Sequence, residues 1–150
     1  MLDVVVPVYP EREGSEGAES ENMSLNNLIG LPWGFGPGEV ECLKLAAMAQ
    51  REISGIDVPL ELWPYSAEDY ERRSRDIEAV LEQIGERIQF PARGAVLLMR
   101  FAPYYHLGTF VSETEFIHVP RGGTSRLTRY SLPYRRITAG IYRIKEVRLW

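Results

Sequence analysis

Residues 95–120 read AVLLMRFAPYYHLGTFVSETEFIHVP, and this stretch decides the class of fold. Three blocks in it, AVLLMRFA (95–102), YHLGTFVS (105–112) and EFIHVP (115–120), are rich in β-branched and aromatic residues, which fit a pleated, half-buried surface. Ser112 to Thr114 can turn the chain between the last two, making them a hairpin. The sequence upstream has another texture. In ECLKLAAMAQREI (41–53) the residues Cys42, Leu45, Ala46, Ala49 and Ile53 follow the i, i+3, i+4, i+7 spacing of a helix with one buried stripe, and Gly55 closes it. A second helix is expected from about Ala67 to Arg87, capped by Ser66, with Tyr70, Ile77, Val80, Leu81 and Ile84 facing inward. A late strand, AGIYRIKEV (139–147), follows Pro133. Helices first and a mostly antiparallel sheet afterwards make an α+β fold, with N-terminal helices packed on the sheet.

The chain has 150 residues, 45% of them hydrophobic, which suits a single domain with a real core. Residues 1–24 are expected to be a flexible acidic arm with a short edge strand at 3–9 (DVVVPVY), and residues 25–150 the domain with a basic C-terminal segment. Ser24 can cap a short helix, LNNLIG (25–30), before a loop punctuated by Pro32, Gly34, Gly36, Pro37 and Gly38. No basic region precedes an apolar run at the N-terminus, and no window approaches the ~18 uninterrupted apolar residues of a membrane span, so neither a signal peptide nor a transmembrane segment is expected.

Charge is unevenly spread. Between Met1 and Met23 six acidic residues face one basic, and between Arg121 and Trp150 eight basic residues face one acidic. Such poles suit docking to charged neighbours, and equally suit two solvated ends that compensate each other. The basic residues form no tight run or known module, so nucleic acid is the weaker reading.

Cys42 is the only cysteine, which excludes an internal disulfide framework and a cysteine-based zinc site. It stands where the helix begins, where unpaired backbone N–H groups and the dipole favour a thiolate. The only two histidines, His106 and His118, fall in the predicted hairpin. Counted across a turn near Thr114, their rings can sit side by side on one face. If that face meets the Cys42 helix, the three side chains form a nucleophile, a base and an orienting group. The plainer reading makes Cys42 a packing residue and the histidines ordinary surface or core residues. Trp33, Tyr104 and Tyr105 either line a groove or are simply buried. The histidines are twelve residues apart with no carboxylate placed beside them, so no metal is expected, and no nucleotide fingerprint calls for a cofactor.

Two segments carry a resemblance. LIGLPWGFGPGEVECLKLAAMAQREISGIDVP (28–59) resembles the start of the NlpC/P60 cysteine peptidase domain: an IG-x-PW or PY segment, a Gly-rich loop, then D-C-x-G-L heading a helix that ends before G-I-x-L-P. YHLGTFVSETEFIHVPRGG (105–123) resembles that family's H-V-G-I-Y-V hairpin followed by F-I-H-A. SRLTRYSLPYRRITAGIYRI (125–144) is similar to a region of its phage tail-assembly branch. The resemblance implies a papain-like α+β fold with Cys42 as nucleophile, His106 as general base and His118 as the third polar residue, and with Trp33, Glu41 and Lys44 at the substrate cleft. It implies hydrolysis of peptidoglycan stem-peptide amides through a thioester. It further implies a place in the virion at a phage tail tip, assembled in a host cytoplasm beside other tail-tip or hub proteins. The rival implication is a catalytically weak or inactive structural component of that assembly. Three positions depart from the pattern: Glu41 replaces the family's Asp, Lys44 replaces its Gly, and Ala95 replaces the acid of P-G-D.

Overall fold

The computed structural model describes residues 25–58, 76–101 and 104–145. The expected strand at 3–9, the acidic arm, the Ser24 cap, and the Ser66, Ala67 and Tyr70 portion of the second helix lie outside the described residues. Within them the order is α1 (Cys42–Ser54), α2 (Ile77–Ile84), β1 (Gly85–Ile88), β2 (Val96–Phe101), β3 (Tyr104–Phe110), β4 (Glu115–His118), β5 (Arg126–Arg129), α3 (Leu132–Arg136) and β6 (Thr138–Ile144). The strands form one six-stranded sheet, β1-β6-β2-β3-β4-β5, with every pairing antiparallel. The α+β expectation holds, with the helices α1 and α2 packed on the sheet.

The first helix starts and stops for local reasons. Glu41 sits in extended backbone at the N-cap, and its carboxylate accepts the Leu43 and Lys44 N–H groups at 2.8 and 3.0 Å, satisfying two of the four donors that a helix start leaves open. Gly55 ends it at φ 70°, a left-handed C-cap whose N–H donates to the Arg51 carbonyl, and a glycine carries that conformation without a Cβ penalty. Cys42, Leu45, Ala46 and Ala49 are buried as the periodicity requires. Leu43 and Gln50 are buried too, while Ile53 is only partly covered. The buried arc is wider than one stripe because α1 meets both β3 and the α2 side chains Ile77 and Leu81.

The second helix ends sooner than its pattern suggests. It ends at Ile84, and the residues expected to finish it, Gly85 to Arg87, begin β1, which pairs with β6 in the register Gly85↔Ile144 to Ile88↔Ile141. Gly85 permits the change of direction by close approach. A Cβ there would come within 3.0 Å of the Leu81 carbonyl oxygen and 3.1 Å of that of Arg143. Ile77, Leu81 and Ile84 are buried as expected, and Val80 packs at the margin of the same cluster.

The sheet is covered on both faces. On one, Val96, Leu98, Leu107, Tyr142 and Ile144 pack with α1 and α2, and Ile117 and Val119 pack with Leu45 and Ala49 of α1. On the other, Leu97, Met99, Phe110, Phe116 and Ile141 pack beneath Tyr130, Tyr134 and Ile137 around α3. Residues 25–40 are stitched to the segment after β4: Gly30 N–H donates to the Ser125 carbonyl at 2.8 Å, Trp33 N–H to the Gly123 carbonyl at 2.9 Å, and Ser125 N–H to the Leu31 carbonyl at 2.8 Å. This lacing sets the loop before Cys42 beside the end of the hairpin that carries the histidines. Among the described residues no helix is long and apolar enough to cross a membrane.

Candidate active site

The β3–β4 pairing, Thr109↔Ile117 and Phe110↔Phe116, makes His106 and His118 diagonal neighbours on one face. Their rings meet edge-on, with His106 Nε2 3.0 Å from His118 Nδ1. One of the two nitrogens carries the shared hydrogen, which is the charge-neutral arrangement of two imidazoles. The other nitrogen of His118, Nε2, lies 3.0 Å from Thr128 Oγ1 on β5. A relay therefore runs across three strands, His106 to His118 to Thr128, and it leaves His106 Nδ1 as the nitrogen not committed to its neighbour.

Both rings are held neutral. Burial pushes the His106 pKa down to about 3, with the neighbouring His118 charge adding to the effect. Burial likewise pushes His118 down to about 4, helped by the Arg126 cation across the β4–β5 pair. His118 is packed against Phe116 and Tyr134, with ring centroids at 5.0 and 6.1 Å, and His106 faces Phe101 at 5.6 Å. Gly108 makes room for this packing: a Cβ there would stand 2.6 Å from Phe116 Cδ2.

The histidines form one wall of a pocket of about 260 Å³ whose remaining lining is Phe101, Tyr104, Tyr105, Pro120 and Arg121. The Arg121 guanidinium lies over the rings of Trp33 and Tyr104, at 5.5 and 5.7 Å. Trp33, half-buried, thereby stands at the rim through Arg121. Tyr105 OH donates to Glu78 Oε1 at 3.0 Å and braces the wall against α2.

Cys42 occupies the first position of α1 with 1% of its surface exposed, in the cluster that includes Leu43, Ala46 and Leu107. It is not among the pocket's lining residues. Leu107, Ile117 and Val119 point toward α1, whereas His118 and Phe116, alternating with them, point to the opposite face. Glu41 is spent on capping, as described. Lys44 Nζ donates to the Glu39 carbonyl at 3.2 Å, back toward the loop. Neither lines the pocket. Among the described residues no group of three or more His, Cys, Asp or Glu side chains is gathered as a metal would require.

Sequence reasoning paired the histidines but missed Thr128 and Arg121. Strand β5 is only four residues, RLTR, largely exposed, too short to register as an alternating pattern; the Gly122–Gly123 turn ahead of it is the one local signal.

No family model matches the chain, and no curated protein matches it. A solved structure does: the crystal structure of an NlpC/P60 family protein from Bacillus cereus ATCC 10987, with a TM-score of 0.56 and 17% sequence identity, covering 85% of this chain and 40% of that one. The chain thus spans less than half the length of the protein it is similar to. At this identity the likeness is one of fold, and the chain has the α+β fold of that NlpC/P60 family protein.

Proposed function

We propose that the chain is a cysteine peptidase domain of the NlpC/P60 type that cleaves amide bonds in peptidoglycan stem peptides, with Cys42 as nucleophile, His106 as base and His118 as the group that orients it. The observation that carries this reading is the 3.0 Å contact between His106 Nε2 and His118 Nδ1 beside an apolar pocket, on a fold similar to that of an NlpC/P60 protein. In the reaction His106 Nδ1 takes the Cys42 proton as Sγ attacks the amide carbon. The amine departs with that proton as the C–N bond breaks, leaving a thioester. Water, deprotonated by the same nitrogen, then releases the acid and regenerates the thiol. Trp33 and Arg121 bound the cleft on one side, and Glu41 and Lys44 shape the turn that presents the thiol.

The setting is a phage tail tip, where such a domain opens the cell wall locally during genome entry beside other tail-tip or hub proteins. This part of the proposal is supported by the similarity of residues 125–144 to the tail-assembly branch and by the opposite charges of the two chain ends.

A second reading has its own observation. Cys42 is 1% exposed and absent from the pocket lining, which suits a structural tail-tip component that keeps the fold without hydrolysing anything. Incubation of the purified chain with peptidoglycan and with a synthetic stem peptide, followed by mass spectrometry of released fragments, separates the two. Cleavage lost in Cys42→Ser supports the peptidase. No cleavage by the wild type, or cleavage that persists in Cys42→Ser, sinks it.

A further inference from the structure

We propose that Thr128 is a positioning residue of this site: accepting a hydrogen bond from His118 Nε2–H, it holds His118, and through it His106, in the tautomers that leave His106 Nδ1 without a proton. The inference rests on the peptidase reading for its purpose and on imidazole geometry for its content. Both contacts of the relay are 3.0 Å, and each admits two directions. If His106 Nε2–H donates to His118 Nδ1, then neutral His118 must carry its hydrogen on Nε2, which donates to Thr128 Oγ1, and His106 Nδ1 keeps its lone pair. If the Thr128 hydroxyl instead donates to His118 Nε2, the hydrogen on His118 moves to Nδ1 and donates to His106 Nε2. His106 then carries its hydrogen on Nδ1 and cannot act there as a base. The direction of one hydroxyl hydrogen bond therefore selects between a base and a non-base at His106, two hydrogen bonds along the relay.

The first direction is the one that the peptidase reading requires of His106, and the contacts admit it. His118 is buried, at 4% exposure, so a hydrogen on Nε2 needs an acceptor, and Thr128 Oγ1 is the partner that the structure gives that nitrogen. Thr128 itself is fixed diagonally, since its cross-strand neighbour is Phe116, whose ring packs on His118.

The test reads tautomers directly. Long-range nitrogen–proton spectra of the two imidazoles are recorded at pH 7.5 on the full chain, as wild type, Thr128→Ser and Thr128→Val. With only two histidines, assignment needs one His→Gln variant. The wild type and Thr128→Ser are expected to carry the hydrogen on Nε2 in both rings, and Thr128→Val to move His118, and His106 with it, toward the Nδ1–H form. A wild type in which either ring is predominantly Nδ1–H overturns the proposal, as does Thr128→Val with unchanged tautomers. If Thr128→Val fails to fold, wild type and Thr128→Ser decide alone: Nε2–H in both supports the assignment, and loss of that form in Thr128→Ser defeats it. The predicted tautomers in a chain that cleaves no stem peptide support the role of Thr128 while removing the peptidase reading, so the two fail separately. In a chain that does cleave, Thr128→Val is expected to lower kcat at least tenfold with KM little changed, and Thr128→Ser to recover it.

Discussion

His106 and His118 share one hydrogen across 3.0 Å while their ordinary pKa of 6.5 is pushed down to about 3 and about 4. Two imidazoles in such a contact, one buried and one half-buried, cannot both be charged, and near neutrality neither is. At rest the pair is therefore two neutral imidazoles joined by one hydrogen.

The linkage gives a pH window. Above pH 6.5 the histidines are neutral in folded and unfolded chains alike and contribute nothing. Below 6.5 the unfolded chain binds protons that the folded one refuses until about pH 4 and then 3, so stability falls as pH falls through that interval. The slope is at most about 1.4 kcal/mol per pH unit for each histidine. Urea midpoints measured from pH 8 to 4 are expected to be level above 6.5 and to decline below it. The doubly substituted His106→Gln, His118→Gln chain should lose most of the decline.

Gly108→Ala tests the packing behind the pair. The new Cβ would stand 2.6 Å from Cδ2 of Phe116, a fully buried ring that touches His118, so it has little room to yield. A loss of roughly 1–3 kcal/mol is expected from overpacking, together with shifted His118 resonances. An unchanged melting temperature would contradict the packing described.

Glu41 supports the fold and would oppose the proposed thiolate chemistry. Its carboxylate occupies the Leu43 and Lys44 N–H groups next to Cys42, and these are donors a thiolate would otherwise use. Glu41→Ala should cost roughly 0.5–2 kcal/mol through the lost cap. Glu41→Gln keeps an acceptor and removes the charge, so iodoacetamide alkylation of Cys42 near pH 7 should quicken relative to wild type, with little loss of stability.

Arg121→Ala should open the pocket rim, because its guanidinium spans Trp33 and Tyr104. The expected sign is a rise in Trp33 exposure to acrylamide quenching, measured in a chain where Trp63 and Trp150 are replaced by Phe. Arg121→Lys should restore it only in part, since an ammonium does not stack as a guanidinium does.

Much of this was legible in the sequence where periodicity was long. The α1 stripe, the hairpin with its turn at Ser112 to Thr114, and the pairing of two histidines across it follow from spacing alone. The short or exposed pieces were not legible. Gly85 to Arg87 read as the tail of a helix because Ile84 completes its apolar stripe, whereas in the fold these residues pair with β6 as a strand. Strand β5 and the five-residue α3 carry too few residues to show a period. Their contributions, Thr128 to the relay and Tyr134 to the wall of His118, were hidden with them. Spacing also could not tell that the histidine face would turn away from the body of α1.

The most direct test of a Cys42–His106 partnership is the second-order rate of iodoacetamide alkylation at pH 7, a clean reading because Cys42 is the only thiol, compared between the wild type and His106→Ala. A working base contributes a factor of roughly a hundred or more to proton transfer, and alkylation is expected to slow at least tenfold when His106 is lost. Equal rates in the two proteins would contradict it and leave Cys42 a packing residue of the fold.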